Sequence, residues 1–169
     1  MTEFSLRRLR LRSGEQFQGE VEVELAPLVL GGQEYVPVPA RVPAELRVTK
    51  ASSGTVFELS FHIRLEGPCF RCLADAALEL PIRASEYQAV KPGEDEDLRT
   101  PYLHDDVLDL SAWARDALAL ELPDKILHDP DCAGLCPECG RDLNVEPHTH
   151  DQAKSDPRWA VLDELRERL

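Results

Sequence analysis

The chain has 169 residues, 43% of them hydrophobic and 30% charged, with a formal net charge of −13. That length holds one domain with an appendage or two small ones, and it can bury a core without relying on a metal for all of its stability. The acidity argues against generic binding to a phosphate backbone, no apolar run approaches the roughly 20 residues that span a bilayer, and MTEFSLRRLRLRSG lacks the apolar stretch of a secretory signal.

In chain order, Phe4, Leu6, Leu9 and Leu11 alternate partly with arginines, which predicts a strand over 4–12 with one irregular step. EVEVEL, Glu20 to Leu25, alternates strictly and predicts a half-exposed strand. Gly31-Gly32 predicts a turn, and the prolines that follow restrict Val36 to Pro43 to edge or loop structure. Ala44–Lys50 and Thr55–Leu65 flank Ala51-Ser-Ser-Gly54 and form the clearest hairpin. In its second arm Phe57, Leu59, Phe61 and Ile63 point to the core, while His62 lies on the wetter face. The hairpin runs directly into Gly67-Pro68-Cys69.

Ala76 to Val90 predicts another strand, with Pro81 forcing a bend or an edge position, and Lys91 to Asp97 is a solvated loop. A helix follows over about 109–122, capped by Asp109 or Ser111 and ended by Pro123; Leu110, Trp113, Ala114, Ala117, Leu118 and Glu121 mark its inner spacing. Residues 124–156 lack periodicity. Asp156-Pro157 starts a last helix over 157–169, which packs through Trp159, Leu162, Leu165 and Leu169. The expected domains are therefore 1–123, an antiparallel β domain with one helix, and 124–169, a cysteine-rich metal-binding loop with a C-terminal helix.

Five cysteines carry the chemistry. Cys69-Phe-Arg-Cys72 and Cys136-Pro-Glu-Cys139 are two C-x2-C pairs, and Cys132 precedes the second. An odd count in such pairs suits a reducing compartment, hence the cytoplasm, and a metal better than disulfides. Zinc takes four ligands in a tetrahedron, and two C-x2-C turns supply them; a glycine after the second cysteine lets the backbone curl round the ion. CPECG fits that pattern closely. CFRCL fits the spacing but has Leu73 where the glycine would stand. The simplest partition places Cys69, Cys72, Cys136 and Cys139 on one structural zinc, clipping the hairpin end to the C-terminal loop. The rival partition joins Cys69 and Cys72 to His128 and Cys132, and Cys136 and Cys139 to His148 and His150, for two ions. The single site is preferred because such histidines more often face solvent. A tetrathiolate iron site would use the same spacing.

Residues 1–50 hold 7 basic and 7 acidic side chains, and residues 51–169 hold 12 and 25, so all the excess charge lies after residue 50. Such a surface attracts basic proteins. Arg7, Arg8, Arg10 and Arg12 form the one basic cluster, which is either a solvated strand edge or a contact for RNA or phosphate. The acidic residues Glu94 to Asp97, Asp105, Asp106, Asp129 and Asp131 sit in polar loops and read as solvated. There is no phosphate-binding glycine loop, no G-x-S-x-G and no H-E-x-x-H. A non-enzyme is expected; the alternative is a thiol-disulfide oxidoreductase or a metal-dependent hydrolase acting on RNA.

Four segments together resemble the YceD family of large ribosomal RNA subunit accumulation proteins. They are C-x-R-C-L at Cys69–Leu73, the acidic loop with an Asp-Leu-initiated helix ending in Leu-Pro, DCAGLCPECG at Asp131–Gly140, and DPRWAVL at Asp156–Leu162. They span about residues 45–169. Some members with the extended cysteine cluster carry cysteine where this chain has His128, which keeps a ligand type. The resemblance implies a non-enzymatic role in accumulating large-subunit (23S) ribosomal RNA during ribosome assembly, with a ribosomal protein or the pre-ribosomal large subunit as partner, and no membrane. It carries over no catalytic residue. The fold expected is α+β: a β-rich N-terminal part, antiparallel sheet or partial barrel, with two helices and a metal-stapled C-terminal loop.

Overall fold

The computed structural model describes residues 2–91, 93 and 98–150. The chain divides into two compact units, one through Cys132 and one from Ala133 onward. The first opens with β1 (Glu3–Ser5), a single 3-10 turn (Leu6–Arg8) and β2 (Gln16–Glu24). The short β3 (Leu28–Leu30) and β4 (Gln33–Pro37) flank Gly31-Gly32, both at positive φ. Then come β5 (Arg41–Lys50), β6 (Gly54–Pro68) and β7 (Asp75–Ala89). The short β8 (Leu103–His104) and β9 (Val107–Asp109) lead into α1 (Leu110–Glu121).

The main sheet is antiparallel and β6 is its spine. β7 pairs with β6 along its whole length, from Gly54↔Ala89 to Pro68↔Asp75. Two strands share the other edge of β6. β5 takes the stretch from Thr55 to Phe61, and β4 takes Leu65 and Glu66. β2 adds to β5, β3 adds to β4, and β1, β9 and β8 form a separate small sheet. Alternation settles which face is inside. Val42, Ala44, Leu46 and Val48 of β5 are buried with Phe57, Leu59, Phe61, Ile63 and Leu65 of β6, while Glu45, Glu58, His62 and Arg64 are exposed. Pro43 is tolerated in β5 because β6 pairing begins only at Ala44, so a ladder donor is needed on one side at most.

Helix α1 is capped by the Asp109 carboxylate, which accepts from the Ala112 amide at 2.9 Å. Leu110, Trp113, Ala114, Ala117 and Leu118 are its buried stripe. The helix packs against both β2 and β7, the far strands of the sheet, so the sheet curls round it. Tyr102 stacks on Trp113 with ring centroids 6.3 Å apart and donates to Asp116 at 3.1 Å.

The α+β expectation with two helices is overturned. The described residues are β-rich and contain one α-helix of 12 residues against strands of 10, 15 and 15 in β5, β6 and β7. The physical weight lies in the long hairpins, and α1 fills the trough they leave. The other expected helix, 157–169, lies outside the described residues, as does most of the acidic loop at 94–97. The strand expected over 4–12 is also corrected. Pairing stops at Ser5, because Leu6 and Leu9 are spaced i, i+3 and the Leu9 amide closes a 3-10 turn on the Leu6 carbonyl at 2.8 Å.

Candidate metal centres

The β6–β7 hairpin ends at the Pro68↔Asp75 pair, and the six residues between them form the first cysteine turn. The Cys69 amide donates to the Ala74 carbonyl at 2.7 Å, and the Leu73 amide donates to the Cys69 carbonyl at 3.0 Å. The second turn repeats this wiring. The Cys136 amide donates to the Arg141 carbonyl at 2.8 Å, and the Gly140 amide to the Cys136 carbonyl at 2.8 Å. Gly140 has φ 72° and Leu73 has φ 65°. The missing glycine in CFRCL therefore does not change the turn; leucine takes the left-handed conformation, which for a residue with a Cβ costs about 1–2 kcal/mol.

The candidate ligands fall into two quartets, one in each unit: Cys69, Cys72, His128 and Cys132, and Cys136, Cys139, His148 and His150. Within each quartet one ligand atom per residue lies within 4.8 Å of all the others. The single four-thiolate clip is not the grouping the side chains adopt; the two C-x2-C pairs are divided between the quartets. None of the five cysteines is in a disulfide.

The first quartet is built into the sheet end. Cys69, Cys72 and Cys132 are 0%, 8% and 1% exposed, and His128 lies at the surface. The Phe70 amide donates to the Ile126 carbonyl at 2.8 Å, which brings the chain back beside the turn after α1. Arg71 Nη1 donates to the Cys132 carbonyl at 2.6 Å, a role for the arginine of C-x-R-C that sequence spacing does not reveal. Tyr35 Oη donates to the Pro68 carbonyl at 2.9 Å just before the turn. Cys69 Sγ and Cys132 Sγ are 3.8 Å apart, and Cys72 Sγ lies 3.3 Å from His128 Nδ1. Zinc–sulfur bonds of about 2.3 Å in a tetrahedron place two sulfurs about 3.8 Å apart, so the thiol spacing fits the ion.

The second quartet is closer to solvent: Cys136 is buried, His148 is half-buried, and Cys139 and His150 are exposed. Cys139 Sγ lies 3.1 Å from His148 Nε2. The other nitrogen of that ring, Nδ1, donates to the Glu146 carbonyl at 2.7 Å, which orients the imidazole and leaves Nε2 free as a ligand. His150 Nδ1 lies 3.5 Å from a Glu138 carboxylate oxygen.

The thiols are electrostatically divided. Burial pushes Cys69 up, but hydrogen bonds from His128 and from the Cys72 and Arg71 backbone outweigh it and hold the thiol down at about 5. Burial pushes Cys72 up to about 11, with the Cys132 and Cys69 thiols adding to the rise. The Cys139 backbone amide leads the groups that bring Cys136 down to about 6, against burial. The Glu146 carbonyl, then Cys136, raise His148 above its ordinary value. The first quartet thus holds a thiolate ready for a soft cation before any ion arrives.

Arg7, Arg8, Arg10 and Arg12 are all exposed, and the neighbouring Leu6, Leu9 and Leu11 are half-buried. Arg7 pairs with Asp106 at 3.8 Å and donates to the Asp105 carbonyl at 3.0 Å. Among the described residues no helix is long and apolar enough to cross a membrane.

Fold and site together define a β-rich scaffold whose chemistry is concentrated in two Cys/His quartets on matched turns. The chain belongs to the YceD family, described as large ribosomal RNA subunit accumulation protein, whose pattern matches residues 57–166 and so includes all eight candidate ligands. The family is thereby linked to the accumulation of large-subunit ribosomal RNA, and its description names no enzymatic activity. The chain is 33% identical over 168 residues to the uncharacterized protein Rv2926c of Mycobacterium tuberculosis, covering 94% of this chain and 78% of that one. It is 25% identical over 156 residues to the uncharacterized protein YlbN of Bacillus subtilis, covering 89% and 88%. No solved structure matches.

Proposed function

We infer that this protein is a non-enzymatic factor that promotes accumulation of 23S ribosomal RNA during large-subunit assembly, binding a ribosomal protein on a scaffold that two structural zinc ions stabilise. Family membership carries the biological half of this reading. The matched wiring of the two cysteine turns, each closed into a quartet, carries the structural half. Four soft or borderline ligands complete zinc's tetrahedron and leave no position for a substrate, which favours a scaffold over a hydrolase. A thiol oxidoreductase needs an accessible attacking sulfur, and the two thiols with a lowered pKa, Cys69 and Cys136, are 0% and 6% exposed.

A basic ribosomal protein is the favoured partner because the acidic excess lies after residue 50 and because the outer sheet face keeps like charges together. Glu20 sits directly opposite Glu45 across β2 and β5, with Glu22 beside them, all exposed. A cationic partner would relieve that repulsion. The exposed arginines of residues 7–12 are a second contact, suited to ribosomal RNA phosphates. Depletion of the protein from cells is expected to lower 23S relative to 16S RNA, and the tagged protein should sediment with large-subunit precursors. Unchanged 23S levels would remove the assembly role. Purified protein mixed with isolated large-subunit proteins and, separately, with 23S RNA decides which partner is direct.

A further inference from the structure

The two quartets differ in what holds them in place. The first is fixed before any metal arrives. Its turn closes the longest hairpin among the described residues, and Ile126, whose carbonyl receives the Phe70 amide, is 2% exposed. Gly67, two residues before Cys69, is so tightly covered that a Cβ there would clash with the Tyr35 ring. Three of its four ligands are buried.

Among the described residues the second quartet has no such support. Among the described residues 133–150, Cys136 is the only buried apolar side chain, and Val145 is 76% exposed. The only ladder there is the isolated bridge Leu135↔Asp142. Order rests on hydrogen bonds near the surface: Ala133 amide to Asn144 Oδ1 at 2.7 Å, Leu143 amide to the Gly134 carbonyl at 2.9 Å, and an exposed Arg141–Glu146 pair at 3.1 Å. A short segment with one buried apolar side chain among its described residues does not stay folded on such bonds alone; small units of this kind need a metal or disulfide. Its ligands are also the accessible ones, with Cys139 and His150 exposed, and it offers two thiolates where the first quartet offers three.

We propose that the two centres have different duties: the first holds its zinc permanently, and the second is an exchangeable site whose occupancy decides whether 133–150 is folded. The proposal rests on the reading that both quartets bind zinc. Loss of the second ion would release Cys139, His148 and His150 and the acidic side chains around them, Glu138, Asp142 and Glu146, while leaving the sheet intact. The chain would then present one surface when zinc is plentiful and another when a competing chelator takes it.

Zinc release from the full chain to a chromogenic pyridylazo chelator tests this without any variant. Two equivalents are expected in two well-separated phases, the slow one at least tenfold slower. Amide hydrogen exchange after the fast phase is expected to show lost protection confined to 133–150, with β5, β6 and β7 unchanged. Cys139→Ser and His150→Ala should abolish only the fast phase. Release of both ions at one rate, or loss of sheet protection with the first ion, overturns the proposal while leaving two-zinc binding standing. A chain that binds no zinc overturns both.

Discussion

Leu73 and Gly140 occupy equivalent places in two turns with the same hydrogen-bond pattern, at φ 65° and 72°. One is the residue that a left-handed turn favours and the other is not, so the two turns predict opposite responses to a swap. Leu73→Gly is expected to leave the zinc-loaded protein as stable or up to about 1 kcal/mol more stable, relief of the Cβ clash being partly offset by the freer unfolded chain. Gly140→Leu is expected to cost about 1–2 kcal/mol within its unit and to weaken zinc binding there. Thermal unfolding and zinc titration of both variants check the pair. A destabilised Leu73→Gly protein would mean that the exposed leucine side chain makes packing contacts worth more than its strain.

Tyr35 ties the β3–β4 hairpin to the first centre through its bond to the Pro68 carbonyl. Its ring is 1% exposed, so Tyr35→Phe keeps the packing and removes only the donor. The expected cost is about 1 kcal/mol, with the carbonyl before Cys69 left unpaired. Denaturant midpoints measure the cost. Slower zinc uptake at the first centre, with the second unchanged, would show that the loss is local.

How much of this architecture is legible in the sequence depends on the range of the interaction. The β5–β6 hairpin, the Gly31-Gly32 turn and α1 with its Asp109 cap are written in local alternation and capping chemistry, and each stands where those signals put it. The sharing of one edge of β6 between β4 and β5 is not, because no local pattern says which distant strand pairs with which half. The quartets follow the same rule. The spacing of C-x2-C marks both turns, but joining Cys69 to His128 and Cys132 requires the chain to return after α1 to the Phe70 amide, a contact across 56 residues. The left-handed Leu73 and the Arg71–Cys132 clamp carry no sequence signal of their own.

Metal-free protein should show a pH dependence with a defined sign. Cys69, in the centre that stays folded without metal, sits at about 5 in the folded chain against an ordinary 9.0. An acid whose folded value is depressed contributes stability that is fully present above about pH 9 and is lost as pH falls through the folded value. Cys72, raised to about 11, acts oppositely and costs stability as pH climbs above 9. Apo-protein is therefore expected to gain stability from about pH 5 up to about pH 9 and to lose it beyond. Urea midpoints across that range, at constant ionic strength, give the curve; a flat profile between pH 5.5 and 8.5, inside the window the depressed Cys69 thiol defines, would mean that it is not ionised in the fold.

The arginine arm predicts a salt signature. If Arg7, Arg8, Arg10 and Arg12 contact RNA phosphates, each contact adds about 0.7–0.9 to the slope of log affinity against log salt. Replacing all four by alanine is then expected to lower the slope by about 3 without changing the sheet, since all four side chains are exposed. Filter binding to 23S RNA over a salt series reads the slope, and an unchanged slope would return these residues to the role of a solvated edge.

The acidic face predicts the opposite trade between stability and binding. Glu20 and Glu45 face each other across β2 and β5, and Arg47, 3.4 Å from Glu45 and 3.6 Å from Glu58, is the nearest compensation. Glu20→Lys turns a repulsive cross-strand pair into an attractive one and is expected to stabilise the sheet by about 0.5 kcal/mol. The same change removes negative charge from the surface proposed to receive a basic ribosomal protein, so association with large-subunit proteins should slow, most clearly at low salt. A variant that gains stability and keeps its association rate would place the partner's contact elsewhere. One that gains stability and loses association would show that the repulsion serves binding at the expense of the fold.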